Sequence, residues 1–159
     1  MGYNAFVIQY HAGSAQTACE DLAAGIEYIF RHSRELQVDT AGYSVWGSSA
    51  GARMAAYIGS YGTAAFGAAS LPRPSTVVMA YTGHSEYTRH DPPTYSVIGA
   101  NDGIASPETM RRRTEALQSA GIPAEFHLYP NLRHGFGLGI GTSAEGWING
   151  AVTFWENNR

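Results

Sequence analysis

The chain has 159 residues, 44% of them hydrophobic and 14% charged, with a formal net charge of -3. That is enough chain to bury a core without crosslinks, it is too apolar for a disordered segment, and it holds no apolar run long enough to span a bilayer. One cysteine, Cys19, excludes an intrachain disulfide and every multi-cysteine metal cluster, and because all ten positive charges are arginines there is no lysine for a Schiff base or a P-loop. The densest basic cluster, Arg111-Arg112-Arg113, falls inside a helical pattern and reads as a solvated helix face, so no nucleic-acid partner is expected. Met1 to Ala5 shows neither a basic leader nor an apolar core with a cleavage site, so the expectation is a cytoplasmic protein with no membrane contact.

In chain order, Ala5 to Tyr10 reads as a strand. Glu20 to Leu36 reads as an amphipathic helix with Leu22, Ile26, Ile29 and Phe30 at helical spacing and Thr17 as its N-cap. Tyr43 to Trp46 is a second strand that runs into Gly47-Ser48-Ser49-Ala50-Gly51 and a helix from Ala52 to Tyr57. The glycine-, alanine- and proline-rich stretch from Gly59 to Pro74 reads as connecting loop. Strands follow at Thr76–Tyr81 and, after the Asp91-Pro92-Pro93 breaker, at Tyr95–Ile98. Pro107 to Ala120 has helical spacing with proline in its first turn, Glu125 to Tyr129 is a fifth strand, and Ala144 to Asn157 is a last helix. Strands alternating with helices predict an α/β architecture built on a mostly parallel sheet of about five strands, in one domain over residues 1–159.

The chemistry concentrates in three places. Gly47-Ser48-Ser49-Ala50-Gly51 fits G-x-S-x-G between a predicted strand and a predicted helix, where a sharp turn exposes the central hydroxyl and small neighbours let the two backbones approach. Ser49 is therefore the candidate nucleophile, and the Ala50 backbone N–H, at the positive end of the helix, is the candidate oxyanion donor. A serine hydroxyl needs a base to take its proton and a third group to orient that base. Asp102 follows one strand end and His134 follows another, in the order Ser, Asp, His, each just beyond the C-terminal end of a different strand.

Other groups are weaker candidates. His11 and His84 also follow strand ends and, with Tyr10 and Ser48, are candidates to line the substrate pocket. His32 and His127 read as structural, and Glu108 is the fallback acid, although a helix start suits it as a dipole partner. His84, Glu86, His90 and Asp91 share a loop whose spacing matches no ligand pattern, so no metal site is expected.

From about Gly2 to the C-terminus, on the strand-loop Phe6–Tyr10, the helix around Glu20-Asp21-Leu22, the elbow Gly47 to Gly51, the acid turn Gly99-Ala100-Asn101-Asp102 and His134-Gly135-Phe136-Gly137, the chain resembles the α/β-hydrolase superfamily, and more narrowly the esterase and acetylesterase branch related to hormone-sensitive lipases. The resemblance implies a serine hydrolase of short, acetyl-like carboxylic esters, with Ser49, Asp102 and His134 as its triad, an acyl-enzyme intermediate, a small ester substrate and no cofactor. In that branch three strands precede the matched stretch, and the loop after the third carries an HGGG-type motif with further oxyanion N–H groups. Nothing of that kind precedes Phe6. The expectation is therefore a truncated hydrolase without a cap domain, slow in turnover, in which Ala5–Tyr10 moves over to pair with Tyr43–Trp46 or a second chain fills the vacancy. An undercovered face or open edge also predicts a homo-oligomer. A hydrolase-like scaffold or fragment that binds ligands with little turnover is the alternative.

Overall fold

The computed structural model describes residues 2–159. Helix α1 (Ala15–Arg31) and the single turn α2 (Ser33–Leu36) lead to strand β1 (Ser44–Ser48), then α3 (Ala50–Tyr61), a 3-10 turn (Thr63–Phe66), β2 (Thr76–Ala80), β3 (Thr94–Gly99), α4 (Pro107–Ser119), β4 (Ala124–Tyr129) and α5 (Trp147–Asn158). The sheet is parallel throughout, with its strands in sequence order β1-β2-β3-β4.

The two inner strands are buried along their whole length, which is why Thr76–Ala80 reads as a nearly unbroken apolar run, while Thr94 and Ser96 are enclosed polar residues of the second. The register sets the faces. Val77 pairs with Thr94 and packs against Gly59 of α3, while Val78, Trp46 and Tyr95 share the other face, where Tyr95 meets Gly150 and Phe154 of α5 and Trp46 meets Trp147. Helices α3 and α5 thus cover opposite faces. Helix α1 packs over α3 through Ala18, Cys19, Ala23 and Ile26, and burial among them pushes the Cys19 thiol up to about 11, which leaves it protonated and unreactive at neutral pH.

Helix boundaries move for identifiable reasons. Ser14, in an extended conformation, caps α1, and its hydroxyl accepts the Thr17 N–H at 3.1 Å, so Thr17 lies inside the first turn and the helix starts five residues before Glu20. The predicted single helix to Leu36 breaks at His32, and α3 reaches Tyr61, beyond the predicted Tyr57.

The expected strand over Ala5–Tyr10 does not form, and the sheet has four strands rather than about five. The segment is held by side chains instead: Ile8 lies against Gly25 of α1, Tyr3 packs its ring 4.9 Å from that of Trp155, and the Tyr3 hydroxyl meets Glu156. Val7 is 97% exposed, with Phe6 and Tyr10 also open to solvent. An apolar run gives a segment the capacity for a strand, but a strand exists only when a neighbour takes its backbone groups, and among the described residues β1 pairs with β2 alone. The pairing of Ala5–Tyr10 with Tyr43–Trp46 is therefore absent, and one edge of β1 is open. No helix among the described residues is long and apolar enough to cross a membrane.

Candidate active site

Ser49 sits between β1 and α3 with φ 52° and ψ -118°, a left-handed conformation that costs a residue with a side chain about 1–3 kcal/mol. Two features hold it there. The Ser49 N–H donates to the Ala80 carbonyl at 2.9 Å, tying the turn to the end of β2, and a Cβ on Gly47 would collide with the Gly51 carbonyl, so strand and helix backbones meet where only glycine fits. Ala50 opens α3 as an exposed residue, and the N–H groups of a first helical turn have no carbonyl partner within the helix.

The imidazole of His134 reaches this hydroxyl across 85 residues of sequence, with Nε2 2.9 Å from Ser49 Oγ. Its Nδ1 is 2.8 Å from Asp102 Oδ2. The Asp102 side chain is fully enclosed, and its other oxygen accepts the N–H groups of Ile104 and Ala105, each at 2.8 Å. A buried carboxylate with three donors around it is fixed in place, and its bond to Nδ1 holds that end of the ring. His134 itself keeps 17% of its side chain open to solvent.

The acid and base loops are joined as well as adjacent. Asn101 N–H donates to the Leu132 carbonyl at 2.9 Å and Ala100 N–H to the Tyr129 carbonyl at 2.8 Å, while a Cβ on Gly99 would strike Leu132. Beyond His134 the chain turns through positive-φ glycines at 135, 137, 139 and 141, and the Trp147 indole N–H donates to the Gly137 carbonyl at 2.9 Å.

The other sequence candidates fall elsewhere. Ser48 ends β1 as an exposed neighbour of Ser49. Tyr10 is exposed, and both the backbone N–H and the ring Nδ1 of His11 are bonded to Asp21 rather than to Ser49 or His134. His84 is 3% exposed against the Tyr57 ring, with Nε2 enclosed and unpartnered, and burial pushes it down to about 4. Asp91 forms a buried ion pair with Arg113 at 2.6 Å, and among the described residues no three His, Cys, Asp or Glu gather as a metal site. His32 caps α1 by bonding the Tyr28 carbonyl, His127 pairs with Glu125, and Glu108 is exposed and tied to Arg111 and Arg112. A cleft of about 520 Å³ lined by Gln118, Pro123, Glu125 and Phe154 lies around the start of β4 and includes none of the three bonded side chains.

Sequence reasoning missed two contributors. The Asx turn that gives Asp102 its two N–H donors had a signal in Asn101-Asp102-Gly103. Tyr81, packed on His134, had none, because a tyrosine ending an apolar run reads as one more strand residue.

A parallel sheet in sequence order with a serine on a strained turn between strand and helix defines an α/β-hydrolase fold. Residues 1–78 match the family model described as BD-FAE. Among solved structures the chain is similar to MGS-M1, an alpha/beta hydrolase enzyme from a Medee basin deep-sea metagenome library, at 21% identity and TM-score 0.73, covering 94% of this chain and 67% of that one. It is similar to a truncated form of carbohydrate esterase from gut microbiota at 14% identity and TM-score 0.76, covering 89% and 68%. It is likewise similar to the carboxylesterase Cest-2923 from Lactobacillus plantarum WCFS1 at 15% identity and TM-score 0.75, covering 95% and 70%. No curated protein matches the chain.

Proposed function

We propose that the chain is a serine carboxylesterase for short, acetyl-like esters. The observation that carries this reading is the hydrogen-bonded chain from Ser49 Oγ through the His134 ring to Asp102, at 2.9 and 2.8 Å, with its serine held at the N-terminus of α3. In that arrangement His134 Nε2 takes the Ser49 proton as Oγ bonds to the ester carbonyl carbon, and Asp102 stabilises the resulting imidazolium and holds the Nδ1–H tautomer. The Ala50 N–H faces the developing oxyanion. As the tetrahedral species collapses, the C–O bond to the alcohol breaks and the alkoxide takes the proton from Nε2. Water then repeats the attack on the acyl group with His134 again as base, and Ser49 regains its proton as the acid leaves. This chemistry calls on no cofactor.

Exposed Ser48, Ala50, Gly103 and Gly135 around the site make it open, a setting that suits a short acyl group. Turnover is expected to be slow. The elbow contributes one oxyanion donor, and loss of a single donor from such a hole costs about 10²–10³ in kcat. The fluorophosphonate test follows from the chemistry, and a similar structure is an esterase 2 of Thermogutta terrifontis phosphorylated by paraoxon. Labelling with a fluorophosphonate and mapping the modified peptide should place the adduct on Ser49, and Ser49→Ala should abolish both label and hydrolysis of a short nitrophenyl ester. A chain with no Ser49-dependent label would be a binding scaffold instead.

A further inference from the structure

We propose that Tyr81 is the positioning residue of the base, bracing the His134 imidazole edge-on so that Nε2 stays aligned with the Ser49 hydroxyl; this rests on the esterase reading above. Tyr81 follows β2 directly and has φ 41°, one of four residues other than glycine with positive φ among those described. A bulky aromatic rarely adopts that conformation, and here it breaks the alternation of the strand and re-aims the ring. The residue is 6% exposed. Its ring meets that of His134 at 5.1 Å between centroids and 71° between planes, and that of Phe136 at 4.8 Å and 65°. Both are edge-to-face contacts, the arrangement aromatic rings favour.

The backbone of the same dipeptide serves the nucleophile. The Ala80 carbonyl accepts the Ser49 N–H at 2.9 Å, and the Tyr81 N–H donates to the Val97 carbonyl at 2.7 Å, which fixes the strained residue to β3. One end of β2 thus sets both partners of the proton transfer: Ala80 holds the turn that carries Oγ, and Tyr81 limits the swing of the ring that carries Nε2. Asp102 fixes the imidazole at Nδ1 alone, so rotation about that bond is left to whatever packs on the ring face and edge. Tyr81 occupies that position, with Phe136 packed behind it.

The experiment compares Tyr81→Phe, Tyr81→Leu and Tyr81→Asn with the unaltered protein. Phe keeps the ring and should retain kcat within about threefold. Leu keeps apolar bulk without an aromatic edge and should lower kcat about 10–100-fold with KM nearly unchanged, the scale expected when a reacting group is misaligned by about 1 Å. Asn tolerates the left-handed backbone and should behave like Leu, which keeps the test alive should the Leu variant not fold. Fluorophosphonate labelling rates at Ser49 should follow the same order. The His134 ring protons, read by NMR, should show a ring-current shift in the unaltered protein and the Phe variant and lose it in the others, whether or not any ester is turned over. A folded Leu or Asn variant at full rate overturns the proposal, as does a Phe variant as slow as Leu, which would move the role to the hydroxyl. Absence of any Ser49-dependent rate in the unaltered protein, with the ring-current pattern intact, would instead sink the esterase reading and leave the packing role standing.

Discussion

The Leu132 carbonyl fills the space that a side chain on Gly99 would need, so the last residue of β3 and the start of the loop to His134 are packed backbone against backbone. The contact fixes the spacing between Asp102, three residues after Gly99, and His134, two residues after Leu132. Gly99→Ala would push that loop outward. The expected result is a loss of about 1–3 kcal/mol in stability from overpacking and a fall in ester turnover of about 100-fold, checked by urea denaturation beside steady-state kinetics. Stability lost with turnover intact would show that the loop re-forms its geometry elsewhere.

Ser49 trades stability for placement, and two substitutions separate the terms. Ser49→Gly removes the hydroxyl and relieves the positive φ, so it should be inactive and more stable by about 1 kcal/mol, or about 2–4 °C in Tm for a chain of this length. Ser49→Ala removes the hydroxyl and keeps the strain, so its Tm should stay near that of the unaltered protein. Equal Tm values for the two variants would contradict strain at this turn.

His84 predicts an acid limb in stability. Burial first, then the Arg113 and Arg53 charges, lower it from 6.5 to about 4, while Asp91 and the Glu86 backbone act the other way. The unfolded chain therefore binds a proton that the native state refuses. Stability is full above about pH 6.5 and falls as pH drops toward 4, by up to roughly 3 kcal/mol, then stops falling on this account. His84→Phe keeps an aromatic against Tyr57 and should flatten that limb in urea midpoints measured from pH 7 to 4. A variant with the same acid slope as the parent would assign the loss to other groups.

The open edge of β1 and the exposed segment around Val7 each offer backbone groups that a strand would take. The occupant expected is a second copy of this chain, because it carries both halves of the pairing. Sedimentation should show association that rises through the micromolar range, and Val7→Lys should weaken it without lowering Tm. A monomer across that range would refute it.

Much of this site is legible in the sequence because its signals are local. The G-x-S-x-G spacing specifies a turn, buried parallel strands specify apolar runs, and the order Ser49, Asp102, His134 follows from which strand ends precede them. What escaped depends on neighbours far away in sequence. Ala5–Tyr10 has the composition of a strand and no ladder to join. His84 follows a strand end as Ser49 does, yet packing behind Tyr57 encloses it. The left-handed turn at Tyr81 is set by hydrogen bonds of β2 to β1 and β3 that no pattern within Thr76–Tyr81 reveals.

The glycines at 135, 137, 139 and 141 give the base an arm made of the residue that surrenders the most freedom when it is fixed. Ordering such an arm costs more chain entropy than ordering ordinary residues, and the bond from the Trp147 indole to the Gly137 carbonyl is one contact that offsets it. Because Trp147 opens α5, the reach of His134 toward Ser49 is tied to a helix on the far side of the sheet from α3.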